Sequence, residues 1–253
     1  MPRPAATRYA SLDAVRGAAL LWMTAFHFCF DLQTFGWLHQ NFHTDAWWTV
    51  QRALIVTLFV FCAGFAQALA HAQAVPWTRF WRRWRQLVAG ALLVSLGSYL
   101  VFPQSFIYFG ILHGLALMTL LARASARWRA GLWAGAALAL LLWLAAPSLH
   151  RAWPALQAFN TPWLNWLGLI DTKPVTEDYA PLLPWVAALW CGLASGQLLL
   201  RRAPEVLQRS ARWVQRQRST RALAWLGRHS LGYYLLHQPL MLAVLGLVAL
   251  ARG

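Results

Sequence analysis

Four ionisable residues share one apolar segment, SLDAVRGAALLWMTAFHFCFDL: Asp13, Arg16, His27 and Asp31. A charge near a bilayer centre costs at least ~2.5–3.5 kcal/mol on insertion scales, so each of them needs a reason. From Arg16 to His27 the chain advances about three helical turns plus ~20°. Asp13 and Arg16 are spaced i,i+3, and His27 and Asp31 i,i+4, so a helix here puts all four on one face. Leucine, alanine, tryptophan, methionine and phenylalanine fill the other face. At ~1.5 Å rise per residue, Arg16 and His27 stand ~16 Å apart and cannot touch. A neutral imidazole at His27 can take a proton from an attacking amine or hydroxyl. It can also carry an acyl group transiently. Asp31, one turn on, is placed to orient that ring or to stabilise its imidazolium. The plainer alternative has Asp13 and Arg16 neutralising each other, with His27 as a helix–helix hydrogen-bonder.

A second cluster lies near the C-terminus, in LGRHSLGYYLLHQP: Arg228, His229, Ser230, Tyr233, Tyr234, His237 and Gln238. Ser230 and His237 share a helix face, as do Tyr234 and Gln238. Pro239 follows directly and frees a backbone carbonyl one turn before it, so the helix is expected to bend there. His113 in YFGILHG and Arg52 fall within other apolar stretches. Arg52 needs an anion, for which Asp31 or Asp178 is the expected partner. Asp178 and Tyr179 lead into PLLPW, where an apolar run resumes. His39, His43, His71 and His150 lie in loops or at span ends and are expected to be solvated. Neither the histidines nor Cys29, Cys62 and Cys191 have metal-ligand or disulfide spacing. No metal is therefore expected, and the cysteines read as small core residues.

The elements that must position these groups follow from composition. Hydrophobic residues make up 59% of the 253-residue chain and charged residues only 11%. Soluble domains carry ~25% charged residues, so an ordinary soluble globule is excluded. Seven apolar stretches, near 11–31, 48–70, 86–102, 106–122, 130–147, 182–200 and 223–250, are long enough or nearly so to cross a bilayer as helices. The expectation is an all-α, polytopic membrane helix bundle forming a single transmembrane domain. The first span is not expected to be a cleaved signal peptide, because Asp13 and Arg16 interrupt it and no small-residue cleavage site follows.

The formal net charge is +15, and every basic residue but Lys173 is arginine. With the N-terminus in the cytoplasm, 16 of the 22 fall on cytoplasmic segments, including Arg3, Arg8, Arg79, Arg82, Arg83 and Arg85. Only Arg151, Lys173 and Arg252 face outward, and Arg16, Arg52 and Arg228 lie in the spans. The positive-inside rule thus places the N-terminus in the cytoplasm and the C-terminus outside. The basic segments 71–85, 123–129 and 201–222 are expected as cytoplasmic loops resting on anionic lipid, the last with an amphipathic helix. The outer segment 148–181 carries Trp153, Trp163 and Trp166; a loop so long is usually functional, though an interfacial aromatic belt has the same composition. The lipid bilayer is therefore the expected partner, and nucleic acid is not.

Four stretches in order carry a resemblance. LDAVRGAALLWMTAFHFCFDL, YFGILHGLALM, LNWLGL with DYAPLLPWVAALWCGLASG, and LGRHSLGYYLLHQPLM resemble segments of the heparan-alpha-glucosaminide N-acetyltransferase-like family of bacterial membrane proteins, also called DUF1624. The spacing of Arg16 and His27 is also similar to that in wider transmembrane acyltransferases. The resemblance implies transfer of an acyl group from acetyl-CoA or another acyl-CoA to a glycan or other small-molecule amine or hydroxyl, at the bacterial inner membrane. It implies His27 as the catalytic histidine, and Arg16 near the donor. Arg82, Arg83 and Arg228 are then the expected phosphate-binding partners, by charge-assisted hydrogen bonds. Asp13, Arg52, His113, Asp178, Tyr179, Ser230, Tyr234, His237 and Gln238 form a second tier of polar candidates. A rival reading is a transporter or flippase, since intramembrane Asp, Arg and His also mark ion and substrate pathways; the absence of an internal repeat weighs against it. A membrane scaffold is the third.

Overall fold

The computed structural model describes residues 9–252, so Arg3 and Arg8 lie outside the described residues. Nine α-helices carry the described chain: α1 (Ala10–Thr34), α2 (Ala46–Ala72), α3 (Trp77–Val101), α4 (Ile111–Ser125), α5 (Gly131–Ala152), α6 (Leu182–Arg202), α7 (Pro204–Arg216), α8 (Arg218–Arg228) and α9 (Ser230–Arg252). Two 3₁₀ segments, Pro154–Asn160 and Asn165–Leu167, lie between α5 and α6. The fold is all-helical, as the composition predicts. Five helices, α2, α3, α5, α6 and α9, are long and apolar enough to cross a membrane. α4 is apolar but has only 15 residues. α1 has the length, at 25 residues, but its charged stripe lowers its hydropathy. Outward-facing leucines on α3 (Leu92, Leu96, Leu100), α5 (Leu141, Leu144) and α9 (Leu240, Leu247, Leu250) form apolar faces of the kind that meet lipid.

Several predicted boundaries shift. The third span begins at Trp77, not 86, so Arg79, Arg82, Arg83 and Arg85 ride on the first turns of α3 rather than on a loop. Arginine is a good helix former and its long stem tolerates an interfacial helix start. The fourth helix begins at Ile111, later than 106, because Phe109 is held by a bridge to Tyr179. The segment 201–222 is not one amphipathic helix: α6 runs to Arg202, α7 follows Pro204, and α8 begins at Arg218. The seventh span also divides, with α8 ending at Arg228 and α9 starting at Ser230. α9 continues through Pro239. The outer segment is shorter than expected, since α5 extends to Ala152.

The chain forms two compact units, one from residues 60–204 and the other from residues 9–59 with 205–252. In the first, α6 packs against the latter half of α2 and against α5, and a Cβ on Gly64 or Gly192 would collide with the backbone of the facing helix. The loop between α3 and α4 is stitched to the segment before α6. Glu177 N–H donates to Ser105 O (2.9 Å) and Ala180 N–H to Phe109 O (3.2 Å). Asp178 caps α4, accepting from Ile111 N–H at 2.8 Å, where a carboxylate also complements the helix dipole. Tyr179 donates to Asn165 O (2.6 Å), and Asn165 Nδ2 donates to Tyr108 (2.7 Å). Burial, with the neighbouring Tyr108, holds the Tyr179 hydroxyl well above the usual tyrosine range, so it remains a donor. His150 is buried, against expectation. It meets Leu169 O at 3.0 Å and the Asp171 carboxylate at 3.5 Å, because the chain that follows Asn165–Leu167 folds over the end of α5.

In the second unit, α1 and α8 approach backbone to backbone. A Cβ on Gly17 would strike Leu223, and one on Gly227 would strike Asp13 and Gly17. Small residues are what allow membrane helices this proximity. Leu20, Met23, Phe26, Phe42 and Ile55 form the unit's buried core, with Tyr233 and Tyr234 of α9 packed against it. Trp22 donates to Gln51 (3.0 Å), fastening α1 to the first half of α2.

Candidate active site

The second unit brings the two sequence clusters together at two levels. The outer level, by the predicted orientation, is built where α1 meets α9. His27 Nδ1 lies 2.8 Å from His237 Nε2, and His237 Nδ1 lies 2.7 Å from Tyr234 O. The rings are inclined by only 14° with centroids 5.1 Å apart, which is an in-plane hydrogen bond rather than face-to-face stacking. The tautomers follow from donor and acceptor counts. A carbonyl only accepts, so His237 Nδ1 carries its proton. Neutral His237 then has a lone pair at Nε2, and His27 Nδ1 must donate to it. The lone pair of neutral His27 is thereby fixed at Nε2, the atom not used in the chain. Tyr233 donates to Thr24 Oγ1 (2.7 Å), whose own proton goes to Leu20 O (2.8 Å), and this lock sets the register of α9 on α1.

Asp31 does not orient His27 as the i,i+4 spacing predicts. It is 1% exposed and accepts from Gln238 Nε2 at 2.6 Å, while His237 takes the orienting role. The geometric reason is that α9 supplies an in-plane partner in His237, whereas Asp31 is turned to the adjacent Gln238. Arg52 is exposed. The carboxylates expected to pair with it are engaged otherwise, Asp31 with Gln238 and Asp178 with Ile111 N–H. Ser230 opens α9, and His229 Nδ1 turns back to Trp225 O (2.9 Å).

The inner level centres on Asp13, which is 3% exposed. Its two oxygens face Arg16 Nη1 (3.7 Å) and Arg228 Nε (3.8 Å). One buried carboxylate between two guanidinium groups leaves net positive charge. A surface cleft of about 420 Å³ adjoins it, lined by Ala10, Val214, Gln215, Arg221, Ala224, Trp225 and Arg228. Arg221, Trp225 and Arg228 fall on one face of α8. The sequence pointed to Arg16 and Arg228 but not to Arg221 or Trp225, because a loop arginine looks alike whether it meets lipid or lines a cleft. Arg82 and Arg83 stand on α3, in the first unit.

The remaining second-tier residues belong to the first unit and serve its structure. His113 Nδ1 accepts from Gly110 N–H (3.3 Å), and its Nε2 faces Ser95 Oγ (3.2 Å), which donates to Ile107 O (2.7 Å). One nitrogen is therefore spent on the backbone turn leading into α4 and the other on the Ser95 hydroxyl of α3. Asp178 and Tyr179 act in the loop ties described above. Among the described residues, no group of three His, Cys, Asp or Glu side chains is placed to hold a metal ion.

A helical chain with several membrane-crossing helices and a buried histidine–carboxylate stripe is a multi-pass membrane protein. The particular family is given by comparison: residues 8–239 match the family described as heparan-alpha-glucosaminide N-acetyltransferase, catalytic, and the chain belongs to that family. Its class is thus transferase. No curated protein and no solved structure matches.

Proposed function

We propose that this protein transfers an acetyl or other acyl group from a cytosolic acyl-CoA to an amine-bearing, sugar-like acceptor, with His27 as the intramembrane base. The observation that carries this reading is the chain Tyr234 O, His237, His27, which puts the His27 proton on Nδ1 and its lone pair on Nε2, with the Gln238 side chain beside the ring. In direct transfer the amine nitrogen attacks the thioester carbon, the C–N bond forms and the C–S bond breaks. The amine proton passes to His27 Nε2 and from there to the departing thiolate, so that His27 ends neutral. Its imidazolium keeps its Nδ1 hydrogen bond to His237 throughout. The alternative route, through an acyl-histidine at the same Nε2, uses the same geometry.

The donor's phosphates would lie at the inner level, where Arg16 and Arg228 outnumber Asp13. Arg221 and Arg228 would grip phosphate oxygens, and Trp225 between them offers a face for an adenine ring. The ~16 Å from Arg16 to His27 along α1 is then the distance an extended pantetheine arm must cover. The arginine-rich segments would face the cytoplasm of a bacterial inner membrane, with the N-terminus inside and the C-terminus outside.

The test is acetyl-CoA binding and turnover by purified protein in nanodiscs, with glucosamine as trial acceptor. Wild type is expected to bind and consume acetyl-CoA, His27→Ala to bind without turnover, and Arg16→Ala to bind poorly. Intact transfer by a folded His27→Ala protein refutes the mechanism. No acyl-CoA binding by wild type refutes the donor assignment and favours a transport role for the stripe.

A further inference from the structure

The outer level holds two buried oxygens with no hydrogen-bond partner among the described residues, Asp31 Oδ2 and Gln238 Oε1. They belong to side chains already joined by the 2.6 Å bond from Gln238 Nε2 to Asp31 Oδ1. Gln238 also stands beside His27. A buried carboxylate answered by one amide N–H is under-solvated, and an unmade hydrogen bond at such a group is expensive. Both orphan atoms are pure acceptors, so whatever completes them must bring hydrogen-bond donors, and at least two. A hydroxyl brings one donor and satisfies one oxygen. Water and a primary amine each bring two donors and can satisfy both, but only the amine, which carries three N–H bonds and a positive charge when protonated, also answers the charge of the buried carboxylate.

We propose that Asp31 and Gln238 form the binding site for the acceptor's amino group, with the N–H bonds taken by Asp31 Oδ2 and Gln238 Oε1 beside His27. This rests on the acyl-transfer reading for its purpose, though not for its chemistry. Bound as the ammonium, the group gives two N–H bonds to these oxygens and its third to His27 Nε2; removal of that third proton frees the lone pair that attacks, and one of the remaining two passes to Asp31 as the amide forms. The same arrangement makes the site selective for a primary amine over the corresponding alcohol, because the alcohol leaves a buried acceptor unpaired.

The experiment is equilibrium binding of glucosamine, with glucose as its hydroxyl counterpart, to the purified full-length protein without acyl-CoA. Wild type, Asp31→Asn, Gln238→Leu and His27→Ala are compared, each with a thermal unfolding curve. Wild type is expected to prefer glucosamine over glucose by at least about tenfold, the loss of one buried hydrogen bond. Asp31→Asn and Gln238→Leu should each lose about tenfold or more for glucosamine alone, and His27→Ala should retain it. Gln238→Leu keeps the test intact should Asp31→Asn fail to fold, since it leaves the carboxylate in place. Equal binding of the two sugars by wild type, or unchanged glucosamine binding in a folded Gln238→Leu, overturns the proposal. An amine site that behaves as described in a protein that consumes no acetyl-CoA upholds this site and removes the acyl-transfer reading. Acetyl transfer with an unchanged KM for glucosamine in Gln238→Leu does the reverse.

Discussion

His27 and His113 are both histidines in apolar helices, and the structure uses them in opposite ways. His113 sits where α4 begins, with Gly110 N–H on one nitrogen and Ser95 Oγ on the other. His27 sits between α1 and α9, with one nitrogen held by His237. A ring with both nitrogens tied to backbone-anchoring groups is a rivet, whereas a ring aligned through Nδ1, with only the Gln238 side chain beside it, can move a proton. Burial and residue type do not separate the two cases; the count of partners per nitrogen does.

The largest test of this contrast is to exchange each ring for a methyl group. His27→Ala should lower acyl transfer by on the order of 10²–10⁴-fold, the usual weight of a general base, with little change in unfolding temperature. His237→Ala should come next. It leaves His27 in place but frees its tautomer and orientation, with an expected loss on the order of 10²-fold in kcat. His237→Gln, which restores an acceptor for His27 Nδ1, should recover part of that loss, a recovery that a merely structural role would not produce. His113→Ala should reverse the pattern. It orphans Gly110 N–H and removes the donor to Ser95 Oγ, costs about 1–3 kcal/mol in unfolding free energy, and leaves kcat near wild type. A large kcat defect in a stable His113→Ala protein would break the comparison.

The smallest effect belongs to the loop between α5 and α6. Asn160 and Gln157 donate to the Asp171 carboxylate (2.7 and 3.2 Å). These hydrogen bonds, with smaller help from Thr172 and His150, hold its carboxyl below the usual carboxylate range. A depressed native pKa means that the contribution is complete above the ordinary value of about 4. It is lost as pH falls through that value toward the native one. Amide protection factors in 154–172, corrected for the intrinsic pH dependence of exchange, should therefore stay high at neutral pH and fall only in that acidic window. Asp171→Asn should remove the pH dependence. An unchanged acid response in the variant would show that another group fastens the loop.

Much of this was legible in the chain. The apolar stretches located the helices because length and hydropathy are local properties. The positions of Asp13, Arg16, His27 and Asp31 on one stripe followed from helical periodicity alone. Boundaries were less legible where helix-forming arginines continued a span, as at Trp77–Arg85, or where two amphipathic helices met without a strong breaker, as at Arg216–Arg218. His150 is not legible as buried, because a histidine near a span end looks solvated until a later segment, here Leu169 to Asp171, folds over it.

Composition, periodicity and motif order suffice for a membrane helix bundle with a polar first helix, for its family, and for the two motifs that meet in the candidate site. Which polar residues become partners depends on packing. His27 and His237 are 210 residues apart in the chain, and Asp31 and Gln238 are 207 apart. Periodicity reports which face of a helix a residue occupies, but it carries no information about the face opposite. That is set by the close glycine contacts between α1 and α8 and by the Thr24–Tyr233 lock between α1 and α9, which are properties of the packed chain.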